Sequence, residues 1–174
     1  MIVVEGPDGA GKSTLAKHLS KRFDLELVAP QKNGKIPELP VRNRVYRALG
    51  KEVQAKQPPK VYDRLFYSEL VYGEVFRGQV DFKDHEQFMI NKILEAIKAP
   101  VIICLPPAEV CKENLSKQPQ LEGVEEHFAA IYRAYIMLAQ LRGTTHYNYT
   151  RPAGLKRIEK QVEKYLTMRS ERGY

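Results

Sequence analysis

Cysteine is scarce in this sequence, since the 174 residues include only Cys104 and Cys111. Two cysteines, with no histidines or further cysteines at metal-ligand spacing, provide neither a disulfide framework nor a zinc site. Cys104 lies within an apolar run, where a free thiol usually behaves as a small buried hydrophobe. We therefore expect packing, and not covalent or metal cross-links, to hold the fold together.

Long apolar runs are also absent. No stretch approaches the ~20 apolar residues that cross a bilayer. The first residues, Met1–Glu5, lack the basic segment and cleavage site of a signal peptide. The sequence contains no internal repeat and no low-complexity tract. These absences predict a single domain over residues 1–174, in the cytoplasm and without a membrane partner.

Acidic residues are outnumbered, since 28 Lys and Arg residues face 21 Asp and Glu residues and give a formal charge of +7. A basic balance favours polyanionic partners, such as nucleotides or nucleic acid. A solvated basic surface explains the same charge equally well. The charge therefore indicates a class of ligand without selecting one.

Short apolar runs alternate with amphipathic segments, which is the order expected of a parallel sheet covered by helices. The run Val101–Leu105 is apolar at every position and predicts a strand buried on both faces. We predict an α/β fold of three layers, in which about five parallel strands have helices on both faces. The predicted strands are Met1–Glu5, Leu25–Val28, Lys60–Asp63, Val101–Leu105 and Thr145–Asn148, and the predicted helices are Thr14–Phe23, Val41–Lys56, Asp84–Lys98, Glu125–Leu141 and Leu155–Met168.

A phosphate-binding loop (P-loop) follows the first predicted strand, because the residues from Gly6 to Ser13 match G-x-x-x-x-G-K-[ST] in full. Its backbone N–H groups and the following helix N-terminus attract phosphate oxygens. We expect Lys12 to bridge the β- and γ-phosphates of ATP and Ser13 to place its hydroxyl on Mg²⁺. The predicted ATP-binding residues of this segment are Gly6, Pro7, Asp8, Gly9, Ala10, Gly11, Lys12, Ser13 and Thr14.

A second motif, Asp63-Arg64, ends the third predicted strand. Ligands of parallel α/β sheets bind beyond the carboxyl ends of the strands. The planar fork of Arg64 suits an acceptor phosphate and the transferring phosphoryl group, while Asp63 can hold Mg²⁺ through water or steer Arg64. The alternative makes Asp63 the N-cap of a helix that begins near Leu65, and Arg64 a solvated charge. We predict that Lys12, Asp63 and Arg64 are the catalytic residues.

The spacing around this motif resembles the thymidylate kinase family, because Ser68, Tyr72 and Arg77 follow Asp63 at intervals of five, nine and fourteen residues. The P-loop, with Asp8 between its glycines, is similar to that of the same family. The resemblance is clear over Met1–Phe23 and Val61–Gly78. It implies a P-loop NTPase fold, ATP and Mg²⁺ as cofactors, and a role in nucleotide biosynthesis.

The resemblance also implies the acceptor and its contacts. The acceptor would be a (deoxy)nucleoside monophosphate, first of all dTMP or a related pyrimidine, bound by the region of about residues 29–80. Asp8 would contact the sugar hydroxyl of this acceptor. The other acceptor-binding residues carried over from the family motif are Arg64, Ser68, Tyr72 and Arg77.

Two departures from the family leave the acceptor open. The stretch after the second strand lacks the family's phosphate-binding arginine, and Lys32 and Lys35, which stand there, lack a bidentate fork. The predicted short lid, about residues 112–123, contains Lys112 and Lys117 where the family usually has arginine. The fold prediction is unaffected by either departure.

Basic residues elsewhere are candidates to replace these contacts. Arg44, Arg47 and Lys51 share one face of a predicted helix, which matches a substrate-binding helix of the family, and we assign Arg44 and Arg47 to the acceptor. A solvated basic face is the alternative. Arg151 follows the last predicted strand, where nucleotide kinases hold adenine, and we predict that it stacks on the base of ATP.

A second hypothesis keeps the fold and changes the acceptor to DNA. The chain would then phosphorylate a polynucleotide hydroxyl, such as that of 5-hydroxymethyluracil, as the net charge and the missing monophosphate contacts suggest. A third hypothesis is a nucleotide-binding module without kinase activity. The monophosphate hypothesis is preferred, because family resemblance says more about a site than bulk charge does. A homodimer, or a location in a host cytoplasm for a viral member, is left open.

The substitution Lys12→Ala tests the predicted P-loop. It should lower kcat by at least ~10²-fold, because an oriented charge on the transferring phosphate is lost. The fold should survive, since the loop lies at the surface, and circular dichroism checks this. Near-normal turnover in the folded variant would contradict the prediction.

Overall fold

A computed structural model of the chain describes residues 1–29, 40–54, 57–117 and 122–171. Within these ranges the chain forms a five-stranded sheet in which every pair of neighbouring strands is parallel. The strands are β1 (Ile2–Glu5), β2 (Leu27–Val28), β3 (Val61–Asp63), β4 (Val101–Cys104) and β5 (Thr144–Tyr147). All five lie within two residues of the predicted boundaries.

The strand order is β2-β3-β1-β4-β5, which puts β1 in the middle of the sheet. Val4 of β1 pairs with Asp63 of β3 on one side and with Ile102 of β4 on the other. Every residue of β4 is buried, as its apolar sequence predicts, and every residue of β1 is buried as well, including its last residue, Glu5. The P-loop therefore leaves the centre of the sheet and lies beside the end of β3.

Seven helices belong to the described residues. They are α1 (Lys12–Phe23), α2 (Val41–Gln54), α3 (Tyr67–Arg77), α4 (Asp84–Ala96), α5 (Ala108–Leu115), α6 (Val124–Leu138) and α7 (Gly154–Glu171). The five helices that the apolar periodicity predicted are confirmed. The short helices α3 and α5 were not among the predicted helices. In α5 only Cys111 and Leu115 are buried apolar residues, which is too weak a signal of amphipathicity over eight residues.

Helices cover both faces of the sheet, which confirms the predicted three-layer α/β fold. This follows from the strand order, because the connection from β1 to β2 runs one way along the sheet and the later connections run the other way, so that right-handed crossovers place their helices on opposite faces. His18 of α1 and Glu159 of α7 lie 2.8 Å apart (Nε2 to Oε1) and join those two helices. None of the described helices is long and apolar enough to span a membrane.

A buried ionic contact joins α2 to α7 beside the start of β1. Glu52 of α2 accepts a hydrogen bond from the hydroxyl of Tyr165 and forms an ion pair with Arg169, whose Nε lies 3.1 Å from Oε1 of Glu52. All three side chains are buried. A buried carboxylate is stable only with such partners, so this contact sets how the two helices meet.

Candidate active site

The P-loop adopts a backbone that two of its glycines make possible. A Cβ atom on Gly6, which has φ of +146°, would lie 2.3 Å from the carbonyl oxygen of Cys104. A Cβ atom on Gly9, at φ of +75°, would lie 2.2 Å from the carbonyl oxygen of Cys111. Neither position has room for a side chain, and both conformations favour glycine. The loop is thus held tightly against the ends of β4 and α5.

Lys12, the first residue of α1, is buried inside the loop. Its Nζ donates a hydrogen bond of 2.6 Å to the Pro7 carbonyl and lies 3.6 Å from Oδ1 of Asp8. Burial is the main cause that lowers the pKa of Lys12 to about 8; Arg64 lowers it further, and Asp8 opposes both. A phosphate group in the loop would stabilise the ammonium form.

Ser13 and Asp63 form the candidate Mg²⁺ site. The Ser13 hydroxyl donates a 2.6 Å hydrogen bond to Oδ2 of Asp63. Asp63 is buried, and within the described ranges its Oδ1 has no hydrogen-bond partner. An unpartnered buried carboxylate oxygen beside a hydroxyl fits Mg²⁺, which takes oxygen ligands and commonly only one or two from the protein. The alternative reading of Asp63 as an N-cap is wrong, because α3 begins at Tyr67 after the cap residue Phe66.

Arg64 lies at the centre of a polar cluster. Its backbone is left-handed, with φ of +71°, and its N–H donates to the Val4 carbonyl at 2.9 Å. The guanidinium pairs with Asp8 through Nη2 and donates to Ser68 Oγ through Nη1 at 3.1 Å. It also lies 4.8 Å from the centre of the Tyr72 ring. Residues from the P-loop, β3 and α3 therefore meet around one cation.

Charges and hydrogen bonds within this cluster shift the pKa values of Asp8 and Arg64. Burial alone would raise the pKa of Asp8, but the charges of Arg64 and Lys12 and a 2.7 Å hydrogen bond from the Tyr72 hydroxyl bring it below its ordinary value. Burial would lower the pKa of Arg64, but Tyr72, Tyr135 and Asp8 raise it above its ordinary value. Asp8 is therefore a carboxylate and Arg64 a cation across the physiological pH range.

Glu5 was not among the predicted site residues, yet it contacts this cluster directly. It is the last residue of β1 and is fully buried. Its Oε1 accepts the N–H groups of Leu65 at 2.8 Å and Tyr67 at 3.1 Å, and its Oε2 accepts the Ser68 hydroxyl. The available signal was a charged residue between an apolar strand and the first P-loop glycine.

A second contact that the sequence did not predict joins α5 to the P-loop. Asn114 donates through Nδ2 to the Gly9 carbonyl and to the Tyr149 hydroxyl, both at 2.9 Å. A Cβ atom on Gly11 would lie 3.1 Å from the Tyr149 ring. The side chains of α5 and of the turn after β5 thus enclose the outer side of the loop. Arg151 is exposed in that same turn.

The remaining predicted acceptor residues lie outside the cluster. Arg77 pairs with Glu69 of its own helix, α3. Arg44 and Arg47 are exposed on α2. The structure brings together the predicted residues Asp8, Lys12, Ser13, Asp63, Arg64, Ser68 and Tyr72.

The predicted lid cations have local partners. Lys112 belongs to α5, and its Nζ lies 5.6 Å from the centre of the Phe128 ring. Lys117 pairs with Glu113 at 2.7 Å. Lys32, Lys35 and residues 118–121 of the predicted lid lie outside the described residues.

Comparison with known proteins gives structural relatives only. No protein-family profile and no curated protein sequence matches the chain. The YorR protein of Bacillus subtilis, solved with phosphorylated GDP, is similar with a TM-score of 0.69 and 22% identity, over 93% of this chain and 95% of that chain. Deoxyadenosine kinase of M. mycoides with bound dATP has a TM-score of 0.57 and 14% identity, over 93% and 98% of the two chains.

The same deoxyadenosine kinase with bound dCTP has a TM-score of 0.51 and 16% identity, over the full length of both chains. At such identities these likenesses concern the fold alone. Together with the strand order and the loop geometry, they support a three-layer α/β fold of the P-loop NTPase type. Membership of the thymidylate kinase family stays a prediction.

The lowered pKa of Lys12 predicts how ATP binding depends on pH. Above about pH 8 the free protein loses the ammonium proton, so binding a phosphate requires proton uptake. The Kd for ATP should therefore rise by up to ~10-fold per pH unit beyond that point. Isothermal titration calorimetry at pH values from about 7 to about 9.5 measures the Kd for ATP on both sides of this pKa. Lys12→Met should bind weakly with little pH dependence, and a flat wild-type profile would contradict the prediction.

Proposed function

We propose that this protein is an ATP-dependent kinase that transfers the γ-phosphate of ATP to a nucleoside or nucleotide. One observation carries the proposal. Three groups meet beside the P-loop, at the carboxyl edge of the sheet. They are the loop cation Lys12, the Ser13–Asp63 pair and the Arg64–Asp8 pair. Phosphoryl transfer requires cations around the moving group and fixed positions for donor and acceptor, and this arrangement supplies both.

The chain's residues divide the work of transfer between them. The P-loop amides and Lys12 hold the donor phosphates, and Ser13 and Asp63 would hold Mg²⁺. The bound ion would neutralise charge on the β- and γ-phosphate oxygens. Arg64 would bind on the acceptor side of Lys12, with its fork holding an acceptor oxygen and the transferring group in line. Catalysis then consists of positioning and charge neutralisation, with no covalent intermediate on the protein.

The first acceptor we propose is a pyrimidine deoxynucleoside monophosphate such as dTMP. Resemblance of the Asp63–Arg77 motif to thymidylate kinases supports it. Asp8 and Tyr72 could exchange hydrogen bonds with a sugar hydroxyl, and Arg64 would then release Asp8 and bind the acceptor phosphate. The likeness to deoxyadenosine kinase adds deoxynucleosides to the acceptors that need testing.

A screen with radiolabelled ATP and Mg²⁺ tests this function. Each common nucleoside, deoxynucleoside and monophosphate is offered separately, together with DNA that contains 5-hydroxymethyluracil. We expect transfer to a monophosphate, with dTMP first, and no transfer in the Lys12→Ala variant. Transfer to a nucleoside alone would support the proposed kinase activity and show that the acceptor is a nucleoside and not a monophosphate. No transfer to any acceptor, by a protein that binds ATP, would overturn the proposal.

The substitution Arg64→Lys tests the acceptor role of Arg64. It keeps the charge and removes the planar fork, so kcat/KM for the acceptor should fall by ~10²-fold while the Kd for ATP changes little. Arg142→Lys is the matched control, because Arg142 is exposed and pairs with Glu95. If ATP affinity falls and acceptor kinetics do not change, Arg64 belongs to the donor site.

A DNA acceptor is the second candidate, favoured by the exposure of Arg44, Arg47 and Lys51 on α2. Binding DNA releases counterions, so its affinity would fall with log[salt] at about −0.7 to −0.9 per phosphate contact. Replacing Arg44 and Arg47 by Ala would then flatten that slope by about two. Under the monophosphate proposal we expect no measurable binding of short oligonucleotides near physiological salt. Fluorescence anisotropy distinguishes the two, with Lys156 and Lys160 of α7 replaced as a control.

A further inference from the structure

Glu5 is a buried carboxylate beside the P-loop that the proposed reaction does not use. It ends β1, but within the described part of the chain its side-chain hydrogen bonds go to the segment that follows Arg64. The carboxylate is fully buried, and burial raises its pKa while Ser68, the Leu65 N–H and Arg64 oppose the rise. A buried acid with three donors costs desolvation energy, so its contacts need an explanation beyond packing.

The backbone at Arg64 shows what Glu5 holds in place. Arg64 has φ of +71°, a left-handed conformation that costs a residue with a side chain roughly 1 kcal/mol or more. Such a conformation persists only when its surroundings hold it. Oε1 of Glu5 accepts the N–H groups of Leu65 and Tyr67, within three residues after Arg64. The carboxylate therefore fastens the turn that carries the strained residue.

A side-chain relay connects Glu5 to the guanidinium itself. The Ser68 hydroxyl has one hydrogen, which it donates to Oε2 of Glu5. Its lone pairs are then free to accept from Nη1 of Arg64 and from the Tyr135 hydroxyl, both at 3.1 Å. Glu5 thus sets the direction of the Ser68 hydroxyl, and Ser68 in turn orients one arm of the guanidinium.

We propose that Glu5 is a positioning residue for Arg64, acting through the Leu65 and Tyr67 amides and the Ser68 hydroxyl. This inference rests on the proposed kinase function, in which Arg64 aligns donor and acceptor. Both carboxylate oxygens of Glu5 accept hydrogen bonds from the chain itself. Through Ser68, Glu5 holds the Nη1 arm of the guanidinium while Nη2 pairs with Asp8, so Arg64 can exchange Asp8 for a substrate oxygen without losing its orientation.

The substitution Glu5→Gln tests the inference. Glutamine keeps the size and one acceptor oxygen but presents an NH₂ group that cannot accept from Ser68. We expect kcat to fall by ~10-fold or more, while the Kd for ATP stays within about two-fold. Glu52→Gln is the matched control, since Glu52 is also buried, accepts from a tyrosine hydroxyl and pairs with an arginine. It should lower the Tm and leave the kinetics unchanged.

A double-mutant cycle separates positioning from general loss of structure. If Glu5 acts through Arg64, Glu5→Gln should cost little further activity in an Arg64→Lys background, because coupled residues are not additive. Independent, additive losses would overturn the inference. Ser68→Ala provides a second cycle if Glu5→Gln does not fold, since it removes the relay and leaves the backbone contacts of Glu5 intact.

A structural measurement keeps this test separate from that of the kinase function. In Glu5→Gln, a crystal structure or side-chain NMR should show the Arg64 guanidinium displaced from Ser68. An unchanged Arg64 would overturn the positioning role whether or not the protein transfers phosphate. An inactive wild type with a displaced Arg64 in the variant would instead contradict the proposed function and leave the structural role confirmed.

Discussion

The hydrogen bond from the Arg64 N–H to the Val4 carbonyl, 2.9 Å long, joins the two strand ends that carry the candidate site. It continues the parallel pairing of Val4 with Asp63 by one residue beyond β3. Because of this register, Asp63 comes within 2.6 Å of Ser13, and Arg64 turns toward Asp8. A different register between β1 and β3 would separate the P-loop from its partners, since a shift of one residue reverses every side chain in a strand.

The candidate site also brings acidic and basic side chains close together. Three acidic side chains, Glu5, Asp8 and Asp63, are interleaved with two cations, Lys12 and Arg64. Hydrogen bonds or ion pairs connect Asp8 to both cations and connect Ser13 to Asp63. Asp8 and Arg64 are half-buried, and such partners offset the desolvation of their charges. The arrangement keeps the cations in place before a phosphate arrives, so little reorganisation is needed when one binds.

Residues of the site differ in how far the sequence could predict them. The P-loop could be recognised in the sequence because its phosphate-binding backbone conformation requires glycines at fixed spacing. Asp63 and Arg64 could be recognised by their place at a strand end. Arg77, at an equally suggestive spacing, pairs with Glu69 instead. Spacing along α3 cannot tell whether a cation faces a substrate or a carboxylate on its own helix.

The five strands, the α/β class and the phosphate loop could be predicted without a structure, because apolar periodicity and glycine spacing are local properties of the chain. The contacts of Glu5 and Asn114 could not, because these residues lie on separate elements from the residues they bind. A buried carboxylate at a strand end shows no local signal of its partner, which lies about sixty residues away along the chain. Long-range hydrogen bonds depend on how strands and helices come together, and no short stretch of sequence records that.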